Sequence, residues 1–175
     1  MGCRPWCWAR YVISSPSSTA SWTVSSDALT YEFHLDPFAE WEDGSPVTSD
    51  DVLFTLERIR DPKVPAFNYR ESFSGVTAIE TPDASTVRVR FAAPYAERLV
   101  AFTLPIVSRA AYSRAKLASD VDRHPSGSGP YRLERWDIGS RFIFKAFDGY
   151  YGAHAKIDTL NFVPITDEAA PGNPE

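Results

Sequence analysis

Hydrophobic and polar residues alternate cleanly from Leu29 to Leu35. Leu29, Tyr31, Phe33 and Leu35 share one face; Thr30, Glu32 and His34 share the other. This period of two predicts a half-buried strand. Upstream, Trp22 and Val24 alternate with polar residues, and Asp27-Ala28 supplies a turn, so the two segments predict an antiparallel hairpin. A second pair, Val76–Glu80 and Thr86–Phe91, flanks the turn Pro82-Asp83-Ala84-Ser85. In its second strand Val87, Val89 and Phe91 face one way and Arg88 and Arg90 the other. Three more strands are expected at Tyr131–Trp136, Arg141–Phe147 and Leu160–Ile165. The middle one, RFIFKAF, is apolar on both faces, which places it centrally in a sheet.

Between the first two pairs the period changes. Trp41-Glu42-Asp43-Gly44-Ser45-Pro46 is a turn by composition. Thr48 can cap a helix, and Asp51, three residues later, can answer it in a capping box. Val47 and Val52 are spaced as a hydrophobic staple. Asp50 and Asp51 open the helix and Arg58 and Arg60 close it, complementing its dipole. Val52, Leu53, Leu56 and Ile59 make the buried stripe, and Asp61-Pro62 ends it. Residues 62–75 are expected as a loop carrying Phe67, Tyr69 and Phe73. Pro94 opens a helix through about Phe102, and another is expected over Ser108–Ala118. Residues 14–26, with seven serines, begin as a flexible lead-in. Pro125-Ser126-Gly127-Ser128-Gly129-Pro130 breaks the chain again, and residues 168–175 are expected as a frayed tail.

Composition agrees with a folded chain. Its 175 residues are 43% hydrophobic and 14% aromatic, with mean hydropathy −0.27. Disorder needs few aromatics and high net charge. The 14 prolines indicate many turns. A net charge of −5 with no basic stripe excludes a general nucleic-acid binder. No apolar run approaches the roughly 20 residues needed to cross a bilayer. The first fifteen residues lack the basic head, apolar run and cleavage site of a signal peptide. Trp6 rules out a myristoylation signal. Cys3 and Cys7, the two cysteines, are best taken as incidental thiols.

Candidate chemistry is sparse. His34 sits on the polar face of a strand, and His124 and His154 sit in loops, so no metal site is expected. Gly127-Ser128-Gly129 fails as a phosphate loop. Pro130 removes a backbone donor, no Lys-Ser/Thr pair follows, and the next element is a strand. Glu40, Glu42 and Asp43 crowd one turn rather than facing across a cleft, so a glycosidase pair is not expected. Asp43 is expected to hydrogen-bond nearby backbone instead. No G-x-S-x-G nucleophile motif is present. Phe67, Tyr69 and Phe73 could line a ligand cleft or plug the core of a small subdomain. No enzymatic role and no cofactor are expected.

In order, LTYEFHL, WEDGSPVTSDDVLFTLERIRDP, TPDASTVRVRFAAPYAERL, SGSGPYRLERW and FDGYYG with KIDTLNFVPITD form a pattern. It resembles the peptide- and nickel-binding extracellular solute-binding proteins, family 5, of ABC importers. Trp41, Asp43, Gly44, Pro46, Thr48, Asp51 and Val52 match that family's turn-helix. Gly127, Gly129, Pro130 and Tyr131 match its next turn, with Ser128 where threonine is usual. Asp148, Tyr150 and Gly152 match a third, with Tyr151 in place of tryptophan. PFAEW departs from the usual basic, glycine-containing turn. The likeness covers about residues 19–167.

The resemblance implies an α+β fold: a mixed-sheet partial lobe of a two-lobed periplasmic-binding-protein-like protein, with a small inserted α/β subdomain. Residues 19–45 and 126–167 are expected in the first-lobe sheet and 46–125 in the inserted subdomain. Residues 1–18 are unassigned and expected to be disordered. The matched motifs are expected to be structural, the residues gripping a peptide's termini lying largely in the second lobe. The implied function is capture of an oligopeptide-like solute by a monomer that hands it to an ABC permease. The family's place is the periplasm or cell surface. As an N-terminal partial fragment without the second lobe, the chain alone is expected to bind weakly. Other readings are a regulator's sensory solute-binding module, or the non-functional product of a broken coding sequence.

Overall fold

The structure is a computed structural model and describes residues 19–64, 66–94, 98–114 and 125–164. The N-terminal eighteen residues with both cysteines, His124, Ala115–Ala118, Ile165 and the tail lie outside the described residues. Strands β1 (Thr19–Val24) and β2 (Thr30–Leu35) form the expected antiparallel hairpin. Ala28 at its turn takes φ 55°. Helix α1 spans Ser49–Arg60 and a short helix α2 spans Phe67–Ser72. Strands β3 (Val76–Asp83) and β4 (Thr86–Phe91) follow, then α3 (Arg98–Ala101) and α4 (Arg109–Arg114). The chain closes with β5 (Tyr131–Asp137), β6 (Arg141–Ala146) and β7 (Thr159–Phe162).

Two sheets result. The first has the order β1-β2-β4-β3 and the second β5-β6-β7. This corrects the expected grouping of residues 19–45 with 126–167 in one sheet. The reason is face matching between β2 and β4. Tyr31 lies opposite Val89 and Phe33 opposite Val87 on the buried face. On the other face Glu32 lies opposite Arg88 and bonds its guanidinium at 2.6 Å. Opposed apolar pairs on one face and opposite charges on the other favour a single register. All strand pairs among the described residues are antiparallel. The parallel pairing that a mixed sheet requires is therefore not among them. The α+β class itself holds.

The core lies between the first sheet and α1. Val52, Leu56 and Ile59 of the helix are buried in one cluster with Tyr31, Phe33, Val87, Val89 and Phe91. Leu53, expected in the stripe, is only half-buried. The centre of the cluster is Phe102, just after α3. Its ring packs 4.5 Å from Phe33 and 5.5 Å from Phe73, measured between centroids. It also meets Tyr31 at 5.8 Å and Phe91 at 6.1 Å. Leu104 and Ile106 beyond it are fully buried. Strand β6 is central as expected, but only its Phe144 is buried. The second sheet is a three-stranded layer, with no matching helix on either face among the described residues.

The expected loop over 62–75 is partly helical. Arg70 of α2 reaches back to the last turn of α1 and the segment that follows it. Its Nε donates to Ile59 O at 3.0 Å, and Nη2 donates to Asp61 O at 2.8 Å and Val64 O at 2.6 Å. Ile59 O lies in the last turn of α1, where carbonyls lack a partner within the helix, so the guanidinium supplies one there.

Helix α1 starts as the sequence predicts. Thr48 N–H donates to Asp51 Oδ2 at 3.0 Å, completing a capping box. The carboxylate does more than cap. The same oxygen accepts from Trp41 Nε1 at 3.2 Å, while Oδ1 accepts from Arg109 N–H at 2.8 Å. Asp51 and Trp41 are both buried. Asp51→Asn turns an acceptor into a donor facing donors and is expected to cost about 3 kcal/mol; exposed Asp50→Asn should cost less than about 0.5 kcal/mol. Phe102→Ala should cost about 3–5 kcal/mol through its cavity. Urea unfolding of the three variants checks both statements.

Candidate functional site

The turn Trp41–Pro46 joins the first sheet to α1 and sets the geometry around it. Trp41 N–H donates to Ser45 O at 2.8 Å, and Gly44 N–H donates to Trp41 O at 2.9 Å. Gly44 takes φ 77°, where a side chain would be strained. Asp43 Oδ1 accepts from Ser45 N–H at 3.0 Å, the backbone role expected of it. Pro46 bridges to Glu40, and Val47 N–H donates to Ala39 O at 2.8 Å.

The same turn touches the second sheet. Glu42 N–H donates to Gly127 O at 2.9 Å. From there Gly129-Pro130 leads directly into β5, and Pro130 O accepts from Phe147 N–H at 2.9 Å. The segment is a strand start, as expected. Tyr131 hydroxyl donates to Ile157 O at 2.9 Å, fastening β5 to the segment before β7. The motif residues Trp41, Asp43, Gly44, Pro46, Thr48, Asp51, Gly127, Gly129, Pro130 and Tyr131 thus lie along one path between the two sheets.

Where turn and sheet meet, a groove of about 320 Å³ opens, lined by Glu42, Pro125, Leu133, Glu134, Arg135, Trp136 and Ile138. Glu42 is half-buried there. Burial pushes its carboxyl up to about 6; Arg132 opposes this and Asp43 adds to it. Trp136 stacks on Phe142 at 5.2 Å between centroids.

The aromatic cleft candidates separate. Phe73 is buried, packed against Phe102 in the core, so it presents no face to a solute. Tyr69 is 39% exposed on α2. The Phe67 side chain lies outside the described residues. In the sequence Glu42 is one of three crowded carboxylates. The signal for its groove was the alternation in β5, but which face of β5 the turn would meet is not written locally. Among the described residues, no group of three or more His, Cys, Asp or Glu side chains is arranged to hold a metal. None of their helices is long and apolar enough to cross a membrane.

Residues 15–173 match the profile of the bacterial extracellular solute-binding proteins, family 5, middle region. The chain belongs to this family. The dipeptide-binding protein of Escherichia coli K12 is 32% identical over 178 aligned positions, covering 89% of this chain and 33% of the relative. Among solved structures, the binding protein AgaA of A. tumefaciens R10, in complex with agropinic acid, is 36% identical with TM-score 0.74. It covers 85% of this chain and 30% of its own. NikZ of Campylobacter jejuni, in complex with Ni(L-His), is 25% identical with TM-score 0.77, covering 89% and 33%. The fold is therefore that of the periplasmic binding proteins. The chain spans about one third of the length of these relatives.

An acid held above its ordinary value keeps its proton longer in the folded chain than in the unfolded one. Between about 4.5 and about 6 the unfolded chain binds fewer protons, so stability falls as pH rises through that window. Glu42→Gln removes this slope. The variant should match the parent near about pH 4 and exceed it by at most about 1 kcal/mol near pH 7, once solvent screening is allowed for. Urea unfolding at both pH values checks this.

Proposed function

We propose that this chain supplies part of the first lobe of a solute-capture protein, which delivers a peptide-like solute to an ABC permease. The observation that carries the reading is the family match over residues 15–173. The dipeptide-binding relative, 32% identical, supports a peptide-like solute. The place of action in this reading is the periplasm or cell surface, and the protein works as a monomer without chemistry of its own.

Affinity in a two-lobed capture protein comes from closing a cleft, where burial and preset polar groups must outweigh the cost of ordering. One lobe offers one wall. The motif residues described above hold turns, caps and strand starts, which suits a wall rather than a gripping site. Tyr69 is the described cleft candidate with an open face.

Two measurements test the reading. Calorimetry of the chain alone against mixed di- to pentapeptides is expected to show no micromolar binding; micromolar affinity would overturn the one-wall assignment. In a hybrid, residues 15–173 replace the matching third of the E. coli dipeptide-binding protein. It is expected to melt cooperatively and to gain several degrees, on the order of 5 °C, with saturating dipeptide. A hybrid that folds but responds only to non-peptide solutes overturns the peptide class.

A further inference from the structure

Among the described residues the outer strands of the two sheets are β1, β3, β5 and β7. Three of them carry features that discourage further pairing. Strand β3 holds Glu80, Pro82 and Asp83 and two breaks in register. Strand β5 holds Arg132, Glu134, Arg135 and Asp137 and one break. Strand β7 has four residues and is followed by Val163-Pro164. Charge, proline, irregular register and short length all keep an edge from accepting another strand. Strand β1, TASWTV, has no charge and no proline, and its one irregularity lies at its start, between Thr19 and Ser21. From Ser21 to Val24 it pairs regularly with β2.

The direction of its backbone groups follows from β2. Leu35 N–H donates to Ser85 O, and Leu29 O accepts from Phe91 N–H, so the odd-numbered residues here turn their backbone towards β4. The even-numbered ones turn towards β1, as Thr30 O does in accepting from Ser25 N–H at 2.9 Å. Ser21 and Thr23, opposite His34 and Glu32, therefore hold the β1–β2 ladder. Trp22 and Val24, opposite Phe33 and Tyr31, turn their N–H and C=O away from β2 along the outer edge. Their side chains continue the buried face of the sheet, because directly opposed residues share a face. Helix α1 lies against β3 and β4, however, and Trp22 stays 52% exposed and Val24 43%. The outward backbone and the uncovered apolar side chains thus belong to the same two residues.

We propose that β1 is a pairing edge for a second copy of this chain, β1 against β1, antiparallel about a two-fold axis at Thr23. In that register Trp22 and the second copy's Val24 exchange two backbone hydrogen bonds, and the symmetric pair exchanges two more. Trp22 meets Val24, an aromatic on a β-branched residue, and Thr23 meets Thr23; both are favourable cross-strand pairs. The apolar row then runs Phe33, Trp22, Val24, Tyr31 across the joint, and no like charges are opposed. An unrelated extended peptide would have to supply this match in its own sequence, whereas a second copy has it by symmetry. A few residues a side bury less than the roughly 1,200 Å² of a stable interface, so the dissociation constant is on the order of 0.1–1 mM. The inference does not rest on the capture reading. A pair this weak leaves the chain monomeric at about 10 µM, as that reading has it.

Sedimentation equilibrium of the full chain from about 10 µM to about 1 mM is expected to pass from monomer to dimer, with no larger species. Val24→Pro removes an outward N–H and spares the β1–β2 ladder. It should weaken association at least about tenfold while keeping a cooperative melt. Trp22→Lys, which puts a charge into the apolar row, should weaken it as much. Ile138→Lys replaces a more exposed apolar residue beside β5 and should change association less than about twofold. Cross-linking reads the register. With Cys3→Ser and Cys7→Ser in place, Thr23→Cys should give an intermolecular disulfide under diamide, since non-hydrogen-bonded partners lie about 4.5 Å apart between Cα atoms. Ser21→Cys, which faces the second copy's Ser25 instead of itself, should not. If Val24→Pro fails to melt cooperatively, Trp22→Lys and the cross-link decide. Four results overturn the proposal: a chain still monomeric at about 1 mM, as when its own residues 1–18 occupy the edge; higher oligomers; equal losses in Ile138→Lys and Trp22→Lys; or no Thr23→Cys dimer.

Discussion

The buried carboxylate of Asp51 holds together three parts of the chain that are distant in sequence. Its two oxygens accept from the Trp41 indole, the Thr48 N–H and hydroxyl, and the Arg109 N–H. These donors belong to the turn after β2, the cap of α1 and the first residue of α4. Hydrogen bonds to an ionised acceptor are the strong ones, and the first turn of a helix favours negative charge. One turn further on, the Thr55 hydroxyl donates to Asp51 O at 2.8 Å and accepts from Val107 N–H at 3.1 Å. Helix α1 is thereby fixed at two levels against the segment that follows Phe102.

That constraint reaches the groove. With the Trp41 ring committed to Asp51 inside the core, its neighbour Glu42 sits at the boundary and bonds Gly127 through its backbone. The groove exists because the turn is rigid on one side and β5 is ordered on the other. Gly44 and Asp43 keep the turn closed, and Tyr131 keeps β5 in place. The two sheets differ in how far they are covered. The first buries Phe33, Val87, Val89 and Phe91 almost completely, while Ile138, Ile157, Phe162 and Val163 beside the second remain 41–74% exposed.

Much of the fold was legible in the residues. The alternation of Tyr31, Phe33 and Leu35, and of Val87, Val89 and Phe91, identified both strands and their buried faces. Thr48, Asp51, Val47 and Val52 marked the start of α1. The SGSGPY segment was legible as a strand start. Less legible were α2, the role of Phe102 and the grouping of the strands. Helix α2 is short and lacks an apolar stripe, and its service is to cap α1 through Arg70. Phe102 gains its importance from four rings contributed by two strands and a loop. Of the candidate site, the turn and its Asp43 geometry were legible, whereas the groove was not. Phe73 illustrates the difficulty: an aromatic in a loop-like segment has the same local pattern whether it faces a cleft or the core.

The sequence by itself determined the strands, the first helix with its cap, and membership of the solute-binding family, because periodicity, capping and ordered motifs act over a few residues. Only the tertiary structure decided that β2 pairs with β4, that Asp51 joins Trp41 to Arg109, and that Glu42 faces β5. Each of these depends on residues ten to ninety positions apart being brought together. Which distant partner wins is set by matched faces and by donors that burial leaves in need of an acceptor. That competition is settled by the whole chain and is not written in any one segment.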